Sequence, residues 1–174
     1  MKREQKGFTL IEMVVVVAII GLVSYAGTLA VFRVIRGTQR SNDQMIALRQ
    51  VQNAGYWVSR DLIVAQEVLP GNDISTPQTD LVTLAWTNWE SGEIHTVHYY
   101  YEDMPNGLKK LERHNVTRGQ DGVTLADVTT FVAQNIVSPP VLTKEANVWK
   151  FVILAQSRNQ TETREYDVRP RFNA

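Results

Sequence analysis

Hydrophobic and polar positions divide the chain into three stretches. The first, from Met13 to Phe32, is a run of twenty residues without a charged side chain. As a helix that rises about 1.5 Å per residue, this run is roughly 30 Å long, which matches the apolar core of a bilayer. The sequence therefore predicts one membrane-spanning helix near the amino terminus.

The second stretch continues the helix with a different pattern. Apolar or small residues recur at steps of three and four and define one stripe, with charged side chains and glutamines on the other side. The stripe comprises Met45, Leu48, Val51, Gly55, Val58, Leu62 and Ala65. We expect a single helix from Phe8 to Gln66, ended by the turn-forming run Pro70–Asp73.

The third stretch alternates with a period of two, which is typical of β-strands. Leu125–Val137 is ambiguous and favours a short helix that runs into a strand. Because the helical pattern precedes the strands, we predict an α+β fold with an antiparallel sheet packed on the apolar stripe of the helix. The predicted strands form a meander and a second hairpin: Leu81–Thr87, Ile94–Tyr101 and Leu108–His114, then Asn147–Ser157 and Thr163–Val168.

Composition narrows the classes of function. The 174 residues include 18 basic and 18 acidic side chains, so no broad basic face indicates nucleic acid as the main partner. The absence of cysteine excludes disulfides and thiolate chemistry. The sequence also has no serine–histidine–acid arrangement, phosphate-binding loop or metal motif, so we do not expect an enzyme.

Glu12 stands at the edge of the apolar run. A carboxylate in this position is costly, so it indicates a function with a specific partner. A secretory signal peptide, with Thr28–Ala30 as a weak cleavage site, is one interpretation, but the apolar run is too long for it. A plain membrane anchor is another, and it leaves Glu12 without a purpose. The third is a processed helix in which Glu12 has a role.

The residues around Glu12 support the third interpretation through a resemblance. Gly7-Phe8-Thr9-Leu10-Ile11-Glu12, after a short basic leader, resembles the amino terminus of type IV pilins and type II secretion pseudopilins. The resemblance implies that a prepilin peptidase cleaves between Gly7 and Phe8 and then methylates the amine of Phe8. It implies four segments: a leader (1–7), a transmembrane and filament-core helix (8–36), its amphipathic second half (37–67) and an extracytoplasmic β-sheet domain (68–174).

Cleavage would give Phe8 a free amine, four residues from Glu12. In a low dielectric the two charges attract strongly, and an unpaired charge is costly. The resemblance implies that Glu12 pairs with the amine of a neighbouring subunit and sets the register of assembly. The alternative is a carboxylate that extends to the lipid headgroups.

The leader predicts the orientation in the membrane. Its basic residues Lys2, Arg3 and Lys6 outnumber the single acidic residue Glu4. Basic residues stay on the cytoplasmic side, so we expect a single-pass protein whose carboxy-terminal domain faces outwards. The resemblance implies that the membrane is the bacterial inner membrane. The resemblance implies that the subunit later joins a periplasmic or surface filament.

Two further segments carry a looser resemblance. Tyr56–Leu62 and Arg169–Asn173 are similar to parts of the J-type pseudopilins of type II secretion and the W-type minor pilins. The resemblance implies a minor structural subunit of a secretion pseudopilus, in its tip complex, or alternatively a minor pilin of a surface or DNA-uptake pilus. Implied partners are prepilin peptidase, other pilins or pseudopilins, an inner-membrane assembly platform and lipid. A membrane-anchored extracytoplasmic binding module is the alternative of another class.

Three groups of side chains are candidates for binding sites. His95 and His98 are three apart in a strand, so they point to opposite faces and do not share a metal. Some pseudopilins bind calcium in loops, but Asp121 and Asp127 lack the dense oxygen spacing of a calcium loop, so no cofactor is expected. The aromatic hairpin is expected to alternate between core and solvent rather than to bind a partner; it contains Trp86, Trp89, Tyr99, Tyr100 and Tyr101.

Overall fold

A computed structural model describes residues 9–71 and 79–171 of the chain. It contains two compact units, Met1–Asn42 and Asp43–Ala174. Helix α1 (Leu10–Val64) supplies the described part of the first unit and the first element of the second. The predicted helix is therefore confirmed over its described length, while Phe8 lies outside the described residues.

The predicted end of the helix is wrong. Helix α1 ends at Val64, and a short strand, β1 (Glu67–Pro70), follows before the turn-forming run begins. The backbone N–H of Gln66 donates to the carbonyl of Ala85 at 2.9 Å, and its side chain exchanges two hydrogen bonds with the backbone of Thr87. The gain of a paired edge strand ends the helix earlier than the proline would.

The strands of the described residues form one antiparallel sheet. Strands β1 to β5 pair in sequence order, and β7 pairs with both β6 and β8. The two parts join where Ile136 pairs with Ala155. After β1, the strands are β2 (Thr79–Thr87), β3 (Ile94–Asp103), β4 (Lys109–Arg118), β5 (Thr124–Ile136), β6 (Val141–Glu145), β7 (Val148–Ser157) and β8 (Gln160–Val168).

The α+β fold with a meander and a closing hairpin is thus confirmed, with two corrections. Leu125–Val137 does not begin as a helix, because β5 occupies Thr124–Ile136 and pairs with β4 along most of its length. Its run of Val128, Thr129 and Thr130 suits a strand, since β-branched side chains pack well on a pleated surface. Strand β6 was not predicted; it is held by its pairing with β7.

The core of the second unit lies between the later turns of α1 and the sheet. Val51, Ala54, Val58 and Leu62 are fully buried there, beside strand residues that include Tyr99 and Phe151. The predicted stripe is largely confirmed, but Met45 is 48% exposed and Ala47 is buried instead. The stripe therefore starts two residues later than its sequence pattern indicated.

Gly55 permits a close crossing within this core. A Cβ atom at this position would lie 2.1 Å from Cζ of Tyr166, so only glycine leaves room for the ring. The Tyr166 hydroxyl donates to the carbonyl of Val51 at 3.0 Å, and its ring stacks on Phe151. Strand β8 is thereby fastened to the helix.

Candidate assembly site

Glu12 takes part in a cap at the start of α1. Its Oε2 accepts hydrogen bonds from the backbone N–H and the hydroxyl of Thr9, both at 3.1 Å. The Thr9 hydroxyl oxygen accepts in turn from the N–H of Glu12 at 3.3 Å. This reciprocal pattern is a capping box, which satisfies backbone donors that a helix start leaves open. Gly7 and Phe8, the predicted processing residues, lie outside the described part of the chain.

The first unit exposes an apolar helix on every side. Each residue from Thr9 to Asn42 is exposed, including large side chains such as Leu22, Val23 and Tyr25. A helix that is apolar all round requires lipid or other helices around it. By length and composition it can cross a membrane. An added Cβ at Gly21 or Gly27 would meet no atom within 4 Å, so both glycines leave open surface for a partner.

A charged cluster joins α1 to the sheet within the second unit. Nε of Arg113 lies 2.6 Å from Oδ2 of Asp61, and the Tyr99 hydroxyl donates to the same oxygen at 2.6 Å. Burial opposes the charge of Arg113, but the Asp61 carboxylate outweighs it and raises the pKa of Arg113. Burial and the same carboxylate raise the pKa of Tyr99, which keeps its hydroxyl a donor. Three elements of the fold, α1, β3 and β4, therefore meet at one carboxylate.

Sequence reasoning missed this cluster, although a signal was present. Asp61 follows Val58 by one helical turn and precedes Leu62, so an acidic residue stands on the border of the apolar stripe. A carboxylate in such a position needs a buried partner. Trp57 of α1 also lies near the pair, since the Arg113 guanidinium carbon lies 5.2 Å from its ring centroid.

The histidines are engaged in separate contacts. Nδ1 of His95 lies 3.1 Å from the Thr117 hydroxyl, whereas Nδ1 of His98 lies 3.0 Å from the Thr83 hydroxyl. His98 also stacks on His114 across the neighbouring strand, with ring centroids 6.0 Å apart. Burial lowers the pKa of His98.

The two aspartates considered as calcium ligands make separate contacts. Asp121 accepts from the N–H of Val123 at 3.1 Å and so closes its own turn. Asp127 instead lies 2.6 Å from Nε2 of His114. Among the described residues, no group of three histidine, aspartate or glutamate side chains is arranged to hold a metal ion.

The aromatic hairpin alternates only in part. Tyr99 is fully buried, and Trp89 is 77% exposed in the turn between β2 and β3. Tyr100, the residue that follows Tyr99 in β3, is only 8% exposed, so the expected alternation between core and solvent is wrong for these two tyrosines. Its hydroxyl donates to Glu112 at 2.9 Å, and burial followed by this hydrogen bond raises the pKa of Tyr100 to about 12. Both faces of the meander therefore bury tyrosine.

Comparison with known families bears on the amino terminus. Residues 2–24 match the family model described as the prokaryotic N-terminal methylation motif. The chain has a pilin-like amino terminus. No curated protein and no solved structure matches the chain. The match includes Glu12 and the first half of the apolar run, and it confirms the resemblance to pilins and pseudopilins, without choosing between J-type and W-type subunits.

The pilin-like amino terminus and the fold agree with each other. The motif continues into the exposed apolar part of α1, and the later turns of α1 carry an antiparallel sheet. This is an α+β, pilin-like arrangement. The motif implies processing by prepilin peptidase, methylation, a membrane-anchored helix and assembly with other pilins.

Proposed function

We propose that the chain is a minor pseudopilin of a type II secretion pseudopilus and works in its tip complex. The observation that carries the proposal is the N-terminal methylation motif at residues 2–24, followed by a helix whose apolar surface is bare. The motif by itself indicates a pilin-like or pseudopilin subunit. Its role is structural rather than enzymatic, and it needs no cofactor.

Processing and assembly assign distinct roles to three residues. Prepilin peptidase cleaves between Gly7 and Phe8, and Phe8 becomes the methylated amino terminus. Glu12 then pairs with the amine of a neighbouring subunit. The capping box supports this role, because both bonds from Thr9 go to Oε2 of Glu12, and no described residue donates to its other oxygen. Residues 8–36 form the transmembrane and filament-core segment, and residues 37–67 carry the sheet domain.

The second unit presents the specific contacts of the subunit. Its sheet is fastened to the later turns of α1 by the Asp61 cluster, so these turns and the sheet stay together within the second unit. In this proposal the leader lies on the cytoplasmic side of the bacterial inner membrane and this domain lies outside the cytoplasm. Its partners are other pseudopilins and the inner-membrane assembly platform.

Intact-mass analysis of the membrane-extracted protein tests the proposal. We expect loss of Met1–Gly7 and gain of one methyl group in cells with an active prepilin peptidase. A Gly7→Val variant is the matched control, since its side chain obstructs the cleaved bond and should leave the leader in place. A full-length, unmethylated wild-type chain would contradict the pilin-like function. Cross-linking to secretion components rather than to a surface pilus would then separate the pseudopilin from the alternative minor pilin.

A further inference from the structure

Three arginines follow the apolar run on one side of α1. Arg33, Arg36 and Arg40 are separated by three and four residues, so they occupy neighbouring positions on one face of the helix. All three are exposed. They span about 10 Å along the axis at about 1.5 Å per residue. These three residues form a compact cationic surface, here named the arginine face.

Arg33 and Arg36 of this face have little acidic compensation within the chain. No aspartate or glutamate occurs between Glu12 and Asp43. Among the described residues, Arg33 and Arg36 make no ion pair. Like charges at three- and four-residue spacing destabilise a helix. An anion supplied from outside the chain would remove that repulsion.

The position of the arginine face indicates the source of the anion. Arg33 follows Glu12 by 21 residues, a rise of about 31 Å, so the two residues mark the two ends of a bilayer core. The headgroup layer adds roughly 5–7 Å on each side of that core. Arg33 and Arg36, about 4–5 Å apart along the axis, both fall within this layer.

We propose that the arginine face binds the phosphates of anionic phospholipids at the membrane surface from which the sheet domain emerges. Guanidinium groups form paired hydrogen bonds with phosphate oxygens, and an anionic surface attracts basic residues placed next to it. The proposal rests on the membrane anchor of the proposed function. Contacts with anionic lipid would help to hold the subunit in the membrane before assembly. These contacts would be lost when the subunit enters a filament.

An acidic surface on another protein is the competing occupant. The position of Arg33 favours lipid, because this arginine directly follows the uncharged run that ends at Phe32. When the uncharged run spans the bilayer core, Arg33 lies among the lipid headgroups. This holds before any filament partner is present. The two occupants predict different results in vesicles that contain no other protein.

Labelled lipids test the proposal on the full chain. Because the chain lacks cysteine, Gly37→Cys creates a single site for a fluorophore beside the arginine face. A Cβ there would meet no atom within 4 Å, so the substitution fits the helix. In phosphatidylcholine vesicles, nitroxide-labelled phosphatidylglycerol should quench the fluorophore more than nitroxide-labelled phosphatidylcholine does. The preference should fall about fivefold when Arg33 or Arg36 is replaced by glutamine, and also with added salt.

Charge variants in the same labelled chain provide the controls. The combined variant Arg33→Gln, Arg36→Gln and Arg40→Gln should lose the preference, whereas lysine at the same three positions should keep most of it. Arg49→Gln removes an exposed arginine beyond the face and should leave the preference unchanged.

Two outcomes would overturn the proposal. Equal quenching of the wild-type chain by both lipids would exclude anionic lipid as the occupant. If the glutamine variant then also failed to enter filaments, an acidic protein surface would replace lipid. A clear lipid preference in a chain that keeps its leader would support the arginine face while contradicting the pilin-like function, so the two failures are distinguishable.

Discussion

Arg113 and Asp61 form a buried ion pair across the boundary between helix α1 and the sheet. Nε of Arg113 lies 2.6 Å from Oδ2 of Asp61, and their side chains are 11% and 4% exposed. The partners are 52 residues apart in sequence. Removal of one partner from such a pair leaves the other charged and desolvated, which is more costly than removal of both.

Arg113→Met should therefore destabilise the sheet domain by about 3–5 kcal/mol. The combined variant Asp61→Asn and Arg113→Met should recover most of that loss, because asparagine still accepts a hydrogen bond from Tyr99. Urea unfolding of the full chain in detergent, followed by tryptophan fluorescence, measures both. A double variant no more stable than Arg113→Met would show that the pair does not act as a unit.

His98 should make the folded sheet domain less stable as the pH drops below 6.5, the ordinary pKa of histidine. Burial lowers the pKa of His98 from 6.5; the nearby Asp80 opposes this, and the nearby His114 and Arg118 add to it. The unfolded chain therefore binds this proton more readily, so the contribution of His98 to stability is complete above pH 6.5 and is lost below it. When the midpoint of urea unfolding is measured against pH, His98→Gln should reduce its fall below pH 6.5. An unchanged slope would show that the pH dependence arises from groups other than His98.

Gly55→Ala should destabilise the second unit by about 1–3 kcal/mol through overpacking. The added methyl group would overlap the ring of Tyr166, which is held by its hydrogen bond to Val51 and its stacking on Phe151. Gly37→Ala is the matched control, since a Cβ there has open space and alanine favours a helix by up to about 1 kcal/mol. Thermal unfolding by circular dichroism compares the two. Equal changes in the unfolding temperature of the two variants would show that helix propensity alone determines both effects.

Glu12→Ala should leave processing largely intact but block or weaken assembly. The substitution removes the charge proposed to pair with a neighbouring amine, whereas the predicted cleaved bond, Gly7–Phe8, lies four residues or more away in the sequence. Glu12→Gln keeps an acceptor for Thr9 and should also fail, because it lacks the charge. Intact mass reports processing, and the amount of the subunit in sheared filaments reports assembly. Normal incorporation of the glutamine variant would remove the ion-pair role.

Much of the fold could be predicted from local pattern. The length of the uncharged run sets the membrane helix, and the period-two alternation placed β2, β3, β4, β7 and β8 close to their observed bounds. The processing motif is equally local, since its residues lie within a few positions of one another. Such features depend on neighbours along the chain, so the sequence contains nearly all the information that determines them.

The remaining features depend on contacts between distant residues. The helix ends at Val64 because the following residues pair with β2 as strand β1. The segment β5 is a strand throughout because it forms backbone hydrogen bonds with β4. Tyr100 is buried although its neighbour Tyr99 is buried too, and its hydroxyl bonds to Glu112 of β4, a contact that alternation alone does not indicate.

The sequence by itself determined a pilin-like amino terminus, a membrane-length helix and an α+β order, because hydrophobic period and short motifs act locally. Only the tertiary structure decided that Asp61 meets Arg113 and Tyr99 and that Gly55 admits Tyr166. The reason is physical: a buried charge is stable only beside its partner, and a glycine is required only where another chain segment crosses it. Both conditions arise when the sheet closes on the helix.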